Sequence, residues 1–247
     1  MRKVVFLRHG ESTWNKENKF SGWFDCGLSE RGVSQAKDAA SVLTKEGFKF
    51  DIVFTSLLKR ATKTTDIVLK EMNLSDIEVK KSWRLNERFY GALQGLNKIE
   101  TANKYGRTLV QMWRRSWATK PPALEKTSKY WPGNDPLYEK FNKKLLPLSE
   151  SLKDTSNRLL PYWEKEIVPK IKSKKSVLIS GHGSGIRALV KHLNGLNDKE
   201  VENLNIPTGI PLVFELKRNM KAIDSYYLAN DEKVKAAINE VKNQTKI

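Results

Sequence analysis

Three short apolar runs, KVVFL, FDIVFTS and SVLIS, recur along the chain, each β-branched and nearly free of charge. Such runs fit strands buried on both faces of a parallel sheet. Helical spacing lies between and beyond them. After Ser29, the residues Val33, Ala36, Ala40 and Leu43 form one stripe that stops at Gly47. After Ser56, Leu58, Ala61, Thr65, Val68 and Met72 recur every three or four residues, and Ile186, Leu189, Val190 and Leu193 repeat the pattern after GHGSG. The alternation predicts an α/β fold, a mostly parallel sheet with helices on both faces. Ligands of such folds gather at the carboxyl ends of the strands. Arg8, His9, Arg60 and His182 all fall at that end.

Residues 85–155 break the alternation. LNERFYGALQGLNK is polar and marked by glycine, QMWRRSW suits a short helix, and ATKPPALEKTSKYWPGNDPLYEK carries proline and turn signals. A stretch this long without regular structure reads as an insertion that covers or walls a site. The segment from about 230 to 247 reads as an amphipathic helix fraying into a flexible polar tail. No second core is evident, so residues 1–247 are expected to form one domain.

The 247 residues carry 39% hydrophobic and 30% charged residues, which describes a globular chain with ample core. No run approaches the roughly 20 apolar residues of a membrane span. The apolar stretch near the N-terminus is too short for a signal peptide, so a cytoplasmic location is expected. Cys26 is the only cysteine and there are three histidines, His9, His182 and His192. A disulfide is therefore excluded, and a metal site is not expected. The net charge is +17, which raises nucleic acid, anionic membranes and small anions as partners. The cations are scattered, the densest group being PKIKSKK at 169–175, read as a solvated loop. The expectation is a small anionic phosphorylated substrate, with neither nucleic acid nor membrane as partner.

Chemistry concentrates at two strand tips. RHG follows the first run and GHG the third, so two of the three histidines occupy equivalent positions, each followed by a glycine that lets backbone approach ligand closely. His192, off the apolar stripe of its helix, and Trp113 and Trp117 read as packing residues. Arg60 falls in the first turn of its helix, where a cation is unfavourable unless an anion lies between. Arg8 beside His9 is expected to keep that imidazole neutral, and therefore nucleophilic. Arg114 and Arg115 diverge on a helix unless both reach one large anion. Glu87, in NERFYG, can give and take a proton if it is partly buried. These are parts for phosphoryl transfer through a histidine. No GxxxxGK[ST] loop is present, which disfavours nucleotide-driven transfer.

FLRHGESTWN, FSGWFD, LSERG, TSLLKRA, RLNERFYGALQGLNK, MWRRS, GHG and NIPTGIPLVFEL together resemble the cofactor-dependent phosphoglycerate mutases of the histidine phosphatase superfamily. The resemblance covers almost the whole chain. It implies interconversion of 3-phosphoglycerate and 2-phosphoglycerate in glycolysis, primed by 2,3-bisphosphoglycerate and needing no metal. It implies that His9 is the phosphorylated histidine, His182 its transition-state partner and Glu87 the proton donor and acceptor, with Arg8 and Arg60 in the catalytic set. Asn15, Ser21, Gly22, Arg88, Tyr90, Lys98, Arg114, Arg115, Gly183 and Ser184 match positions that contact phosphate or carboxylate. A homodimer or higher homo-oligomer is also implied. Ser184 stands where the family usually has asparagine, and Phe89 where it usually has histidine. A phosphatase of the same superfamily is the rival reading, since it would pass the same phosphoryl group to water.

Overall fold

The computed structural model describes residues 2–245. Six strands, β1 (Arg2–Arg8), β2 (Ile52–Thr55), β3 (Glu78–Lys81), β4 (Val177–Gly181), β5 (Leu212–Leu216) and β6 (Ala222–Tyr227), form one sheet of order β3-β2-β4-β1-β5-β6. The four strands from β3 to β1 run parallel, whereas β5 and β6 pair antiparallel along one edge. The fold is thus α/β with a mostly parallel sheet. The three apolar runs are its central strands β1, β2 and β4, buried along nearly their whole length. The edge strands β3 and β6 are partly exposed and carry Lys, Asp and Ser, so no continuous apolar run announces them.

Helices α1 (Thr13–Lys16), α2 (Glu30–Lys45), α3 (Lys59–Glu71), α4 (Lys98–Tyr105), α5 (Arg107–Arg115), α6 (Leu152–Tyr162), α7 (Val168–Lys172), α8 (Gly183–Asn194), α9 (Asp198–Asn203) and α10 (Asp231–Lys242) complete the chain. Ser29 caps α2 by accepting from the Gly32 N–H, and Ala36, Ala39, Ala40 and Leu43 turn its buried face onto the sheet. On the opposite face Trp163, Ile167, Ile186 and Leu189 pack against Val4, Phe6 and Ile179. Helix α8 ends at Gly195 in the left-handed conformation that glycine tolerates best.

Three expectations change. The 85–155 stretch is not structureless: it contains α4, α5 and a string of short 3-10 turns. Those turns are anchored by Tyr138 and Leu146, which pack on Trp23, Trp83 and Phe89. PKIKSKK is largely helical, because Val168 and Ile171 are buried and draw it onto the sheet. Only its end, from Ser173, is a turn before β4. The C-terminal segment forms α10 and then docks: the Arg31 guanidinium grips Glu240 at 2.8 and 2.6 Å, and Asn18 donates to the Gln244 carbonyl at 2.8 Å. The last two residues of the expected flexible tail, 246–247, lie outside the described residues. No helix of the described residues is long and apolar enough to cross a membrane.

Candidate active site

Register brings the two histidines together. Arg8 of β1 pairs with Gly181 of β4, and Thr55 of β2 pairs with Ser180. The next residues, His9 and His182, therefore emerge level with each other, and Ser56 comes one position behind them. The imidazoles meet edge to face with centroids 5.0 Å apart. Both are almost wholly buried.

Their hydrogen bonds assign the tautomers. His9 Nδ1 lies 2.6 Å from the Gly10 carbonyl, so it must carry the proton and donate. Its Nε2 lone pair accepts from Arg60 Nε at 3.2 Å, so this nitrogen can bond to anything else only by giving up that long hydrogen bond. His182 Nε2 lies 2.7 Å from Ser56 Oγ, while its Nδ1 is buried without a partner. If Ser56 donates to Nε2, Nδ1 bears a proton that an incoming anion can accept.

Both histidines are held well below the usual imidazole range. For His9 the largest cause is burial, followed by Arg60 and then Arg8. The neutral histidine expected from the sequence is therefore present, but Arg8 is the lesser part of its cause. Gly10 also differs from expectation. A Cβ there would meet the Gly32 carbonyl oxygen at 2.2 Å, so this glycine admits the N-terminal turn of α2 rather than a substrate. The glycine lying against the site is Gly183, whose added Cβ would be 3.5 Å from the Arg8 guanidinium.

Arg60, in the first turn of α3, is buried and spends its donors locally: Nε on His9, NH1 on the Phe24 carbonyl and NH2 on the Gly22 carbonyl. It thereby ties the 20–26 loop to His9. Arg8 donates to the Ile206 carbonyl at 2.6 Å, but its Nε is buried without a partner, as is Ser21 Oγ.

Glu87 sits at the opened N-terminus of α8. No side chain caps that helix, and the Ser184 N–H points at the Glu87 carboxylate, 3.2 Å from Oε1. Burial alone would raise this carboxyl; hydrogen bonding from Ser184 and the Arg88 N–H, with the charges of Arg60 and Arg8, outweighs it and holds the group below its ordinary value. Glu87 is thus ionised before any anion arrives.

A second set of cations lies farther out. Lys98 is buried with Asn18 Oδ1 as its hydrogen-bond partner at 3.4 Å, and burial, then Arg114 and Arg8, push its ammonium well below the usual lysine value. Arg114 is pushed down to about 10 and Arg115 to about 9, burial leading in both. The two arginines do diverge, as adjacent helical residues must. Arg114 donates to Thr245 Oγ1 at 3.1 Å and Gln244 Oε1 at 3.0 Å, while Arg115 holds the Glu202 and Leu204 carbonyls across from α9. Both nonetheless line the same cavity.

That cavity, of about 70 Å³, is lined by all the expected residues except His182 and Arg88, including Asn15, Ser21, Gly22, Tyr90, Gly183 and Ser184. His182 lies edge to face beside His9, outside the lining. Arg88 is wholly buried in the wall, donating to the Arg114 carbonyl and to the Tyr90 hydroxyl at 3.1 Å. Burial would raise the Tyr90 phenol, yet Arg88 and Arg114 draw it below its ordinary value. Phe89 points the other way, into the Trp23–Trp83–Tyr138 cluster, so its replacement of histidine leaves the cavity unchanged.

Four lining residues were not anticipated: Arg187, Ile206, Val241 and Gln244. Arg187 lies one helical turn beyond Gly183, a spacing that was there to read. Behind the cavity is a further unanticipated pair. Arg158 meets Glu150 at 2.6 Å and donates to the carbonyls of Arg84, Asn86 and Glu87. Glu150 in turn accepts from the Phe89 N–H at 2.8 Å, and Trp23 Nε1 donates to the Glu87 carbonyl. The pair clamps both sides of Glu87.

The profile of the histidine phosphatase superfamily (branch 1) matches residues 4–140. The chain belongs to this superfamily. Its fold is similar to that of a mycobacterial glucosyl-3-phosphoglycerate phosphatase solved with VO3, at 22% identity and a TM-score of 0.69, covering 92% of this chain and 97% of that one. Bacillus stearothermophilus YhfR is similar at 20% identity and a TM-score of 0.66, over 87% and 91% of the two chains. The alpha-ribazole phosphatase from Shigella flexneri is similar at 18% identity and a TM-score of 0.63, over 90% and 94%. At these identities the likeness establishes the fold. Membership of the histidine phosphatase superfamily makes phosphoryl-group chemistry the business of this pocket.

Proposed function

We propose that the protein is a phosphoglycerate mutase working through a phosphohistidine at His9, with 2,3-bisphosphoglycerate as primer and no metal. The observation that carries this reading is the division of cations into two sets. Arg60 and Arg8 are the cations whose charge bears on His9, and Lys98, Arg114, Arg115 and Arg187 line the same cavity without being among them, with Glu87 the single carboxylate in the lining. A phosphatase needs only the first set to hold a phosphoryl group. A three-carbon substrate with charge at both ends uses the second set to hold its carboxylate or second phosphate while the phosphoryl group moves between hydroxyls. The unpartnered Arg8 Nε, Ser21 Oγ and Arg187 Nε fit such an anion.

The bisphosphate, when bound, supplies the phosphoryl group that charges His9. In each half-reaction His9 Nε2 gives up its hydrogen bond from Arg60 Nε and uses that lone pair to form the P–N bond as the P–O bond to the substrate breaks. Electrons of that bond pass to the leaving oxygen, which takes a proton from Glu87. In reverse, a hydroxyl oxygen attacks phosphorus as Glu87 removes its proton. Arg60 and Arg8 neutralise the equatorial oxygens, and His182 Nδ1 donates to one of them. A phosphate dianion beside Glu87 raises its pKa from the depressed value of the free site, which is what allows it to carry the proton. Arg114 donates to Gln244, Thr245 and the Val241 carbonyl, so an incoming carboxylate competes with the 241–245 segment for it.

A coupled assay on 3-phosphoglycerate, with and without added bisphosphate, tests the reading. Stimulated formation of 2-phosphoglycerate supports it. Inorganic phosphate as the main product, unaffected by bisphosphate, replaces it with a phosphatase, the activity that the names of the mycobacterial and Shigella proteins describe.

A further inference from the structure

We propose that the edge of the sheet opposite the active site is a binding surface for single-stranded nucleic acid. Two adjoining hollows of about 580 and 480 Å³ open there, sharing Lys3 and Ser176. Together they are lined by Arg2, Lys3, Lys49, Lys174, Lys175 and Arg218, with Glu46 the one acid in the lining. These cations come from the residues before β2 and β4, the start of β1 and the residues after β5. Along the chain they are scattered, and that scatter is why the sequence predicts no nucleic-acid partner. The fold gathers them, because β5 is antiparallel and pairs Leu216 with Arg2. At roughly 3.3 Å per strand residue, β1 separates this edge from His9 by about 20 Å.

Three carboxylates belong to the neighbourhood. Glu215 pairs with Lys3 at 3.0 Å, Asp51 accepts from the Ser176 N–H at 2.6 Å, and Glu46 lines the second hollow. Lys49, Lys174, Lys175 and Arg218 are exposed and make no salt bridge among the described residues. Arg2 Nε is buried without a hydrogen-bond partner. Phe48 and Tyr226, half-buried, offer ring surface in the second hollow. A cationic groove with aromatic rings suits a phosphate backbone with unpaired bases. An anionic membrane is the poorer fit, since no exposed large hydrophobic side chain lines either hollow to enter a bilayer.

The test is fluorescence anisotropy of a labelled oligouridylate twelve nucleotides long, with vanadate filling the catalytic pocket, titrated between 50 and 200 mM salt. Four phosphate contacts give a slope of log affinity on log salt of about −3. The variant K49E/K175E/R218E, whose changes are all on exposed side chains, should bind at least about tenfold more weakly at 50 mM salt, with a slope shallower by about 2. Its urea-unfolding midpoint should equal that of the unaltered protein, which shows the fold intact. The proposal is overturned if the variant binds like the unaltered protein, if vanadate abolishes binding, or if anionic lipid vesicles or a duplex of equal length bind as tightly. Because vanadate holds the catalytic pocket, none of these outcomes bears on the mutase reading.

Discussion

Both ends of the sheet are cationic, yet they differ in what burial does to the charge. At the carboxyl edge, Arg8, Arg60, Lys98, Arg114 and their neighbours are desolvated and pressed together, and several are held below their ordinary pKa values. At the amino edge, Lys49, Lys174, Lys175 and Arg218 stand in solvent, where each is screened within a Debye length. Like charges crowded in a dry pocket cost stability until an anion enters, so the first edge stores a strong, short-range demand for one. The second attracts an anion weakly, and less so as salt rises. Perturbing the first edge should therefore change chemistry by orders of magnitude.

The largest effect is expected from His9→Ala. Without Nε2 no P–N bond can form, so turnover should fall by at least about 10⁴-fold, and incorporation of acid-labile phosphate from the bisphosphate should vanish. Retained turnover in this variant would remove the phosphohistidine from the mechanism.

Next in size is Arg158→Met, which tests whether the clamp behind the site sets the chemistry. Arg158 is not itself part of the cavity lining; it holds the backbone that carries Glu87. A misplaced proton donor costs turnover rather than affinity, so kcat should drop about 100-fold with KM nearly unchanged. The limb of the pH–rate profile that belongs to Glu87 should move as well. A variant that is merely less stable would show neither the split nor the displaced limb. Removing Glu150 as well as Arg158 should cost little more than removing either, since they act as one unit.

These two variants mark what the chain discloses and what it withholds. His9 was legible because an all-apolar run ends abruptly in RHG, and His182 because GHG repeats the arrangement at a second run. The buried strands β1, β2 and β4 declare themselves by composition, whereas β3 and β6 do not, since edge strands carry polar residues that alternate too weakly to read. Arg158 was hidden for a different reason. On a helix an arginine looks like any solvated cation, and only the tertiary approach of α6 to the 84–89 segment shows three carbonyls converging on it. Gly10 misled because a glycine after a strand-tip histidine suggests room for substrate, while the space it leaves is filled by Gly32.

Arg114→Gln should act more mildly, on binding. The side chain lies in the outer cation set and is engaged by Gln244 and Thr245 in the free site. Losing one charge-assisted hydrogen bond to substrate costs about 1.5–3 kcal/mol, which corresponds to a rise of roughly 10- to 100-fold in KM for 3-phosphoglycerate. Release of phosphate from a small phosphate ester without a carboxylate should be far less affected, because such an ester never reaches the outer set. Equal losses on both substrates would mean that the pocket is one site rather than two, and would favour the phosphatase reading.

The last effect is on stability rather than turnover, and it separates the two edges by pH. His9 and His182 are held below 6.5, their ordinary value, mainly by burial. Above pH 6.5 both the folded and the unfolded states carry them neutral, and they contribute no pH dependence. As pH falls below 6.5 the unfolded chain takes up protons that the folded chain refuses, so stability is lost on acidification. Each histidine contributes at most about 1.4 kcal/mol per pH unit in that window. Glu87 does not interfere, since its carboxyl lies below 4.5 and its contribution is lost only at lower pH. His192 is also lowered but half exposed, so its share is smaller. Urea unfolding at pH 7, 6 and 5 should therefore show a falling free energy. In His9→Gln/His182→Asn the fall should be much reduced, while K49E/K175E/R218E should keep the full slope because its cations do not titrate in this range. A double variant as steep as the unaltered protein would mean that the buried histidines take up their protons without unfolding, and that the carboxyl edge is less dry than its packing implies.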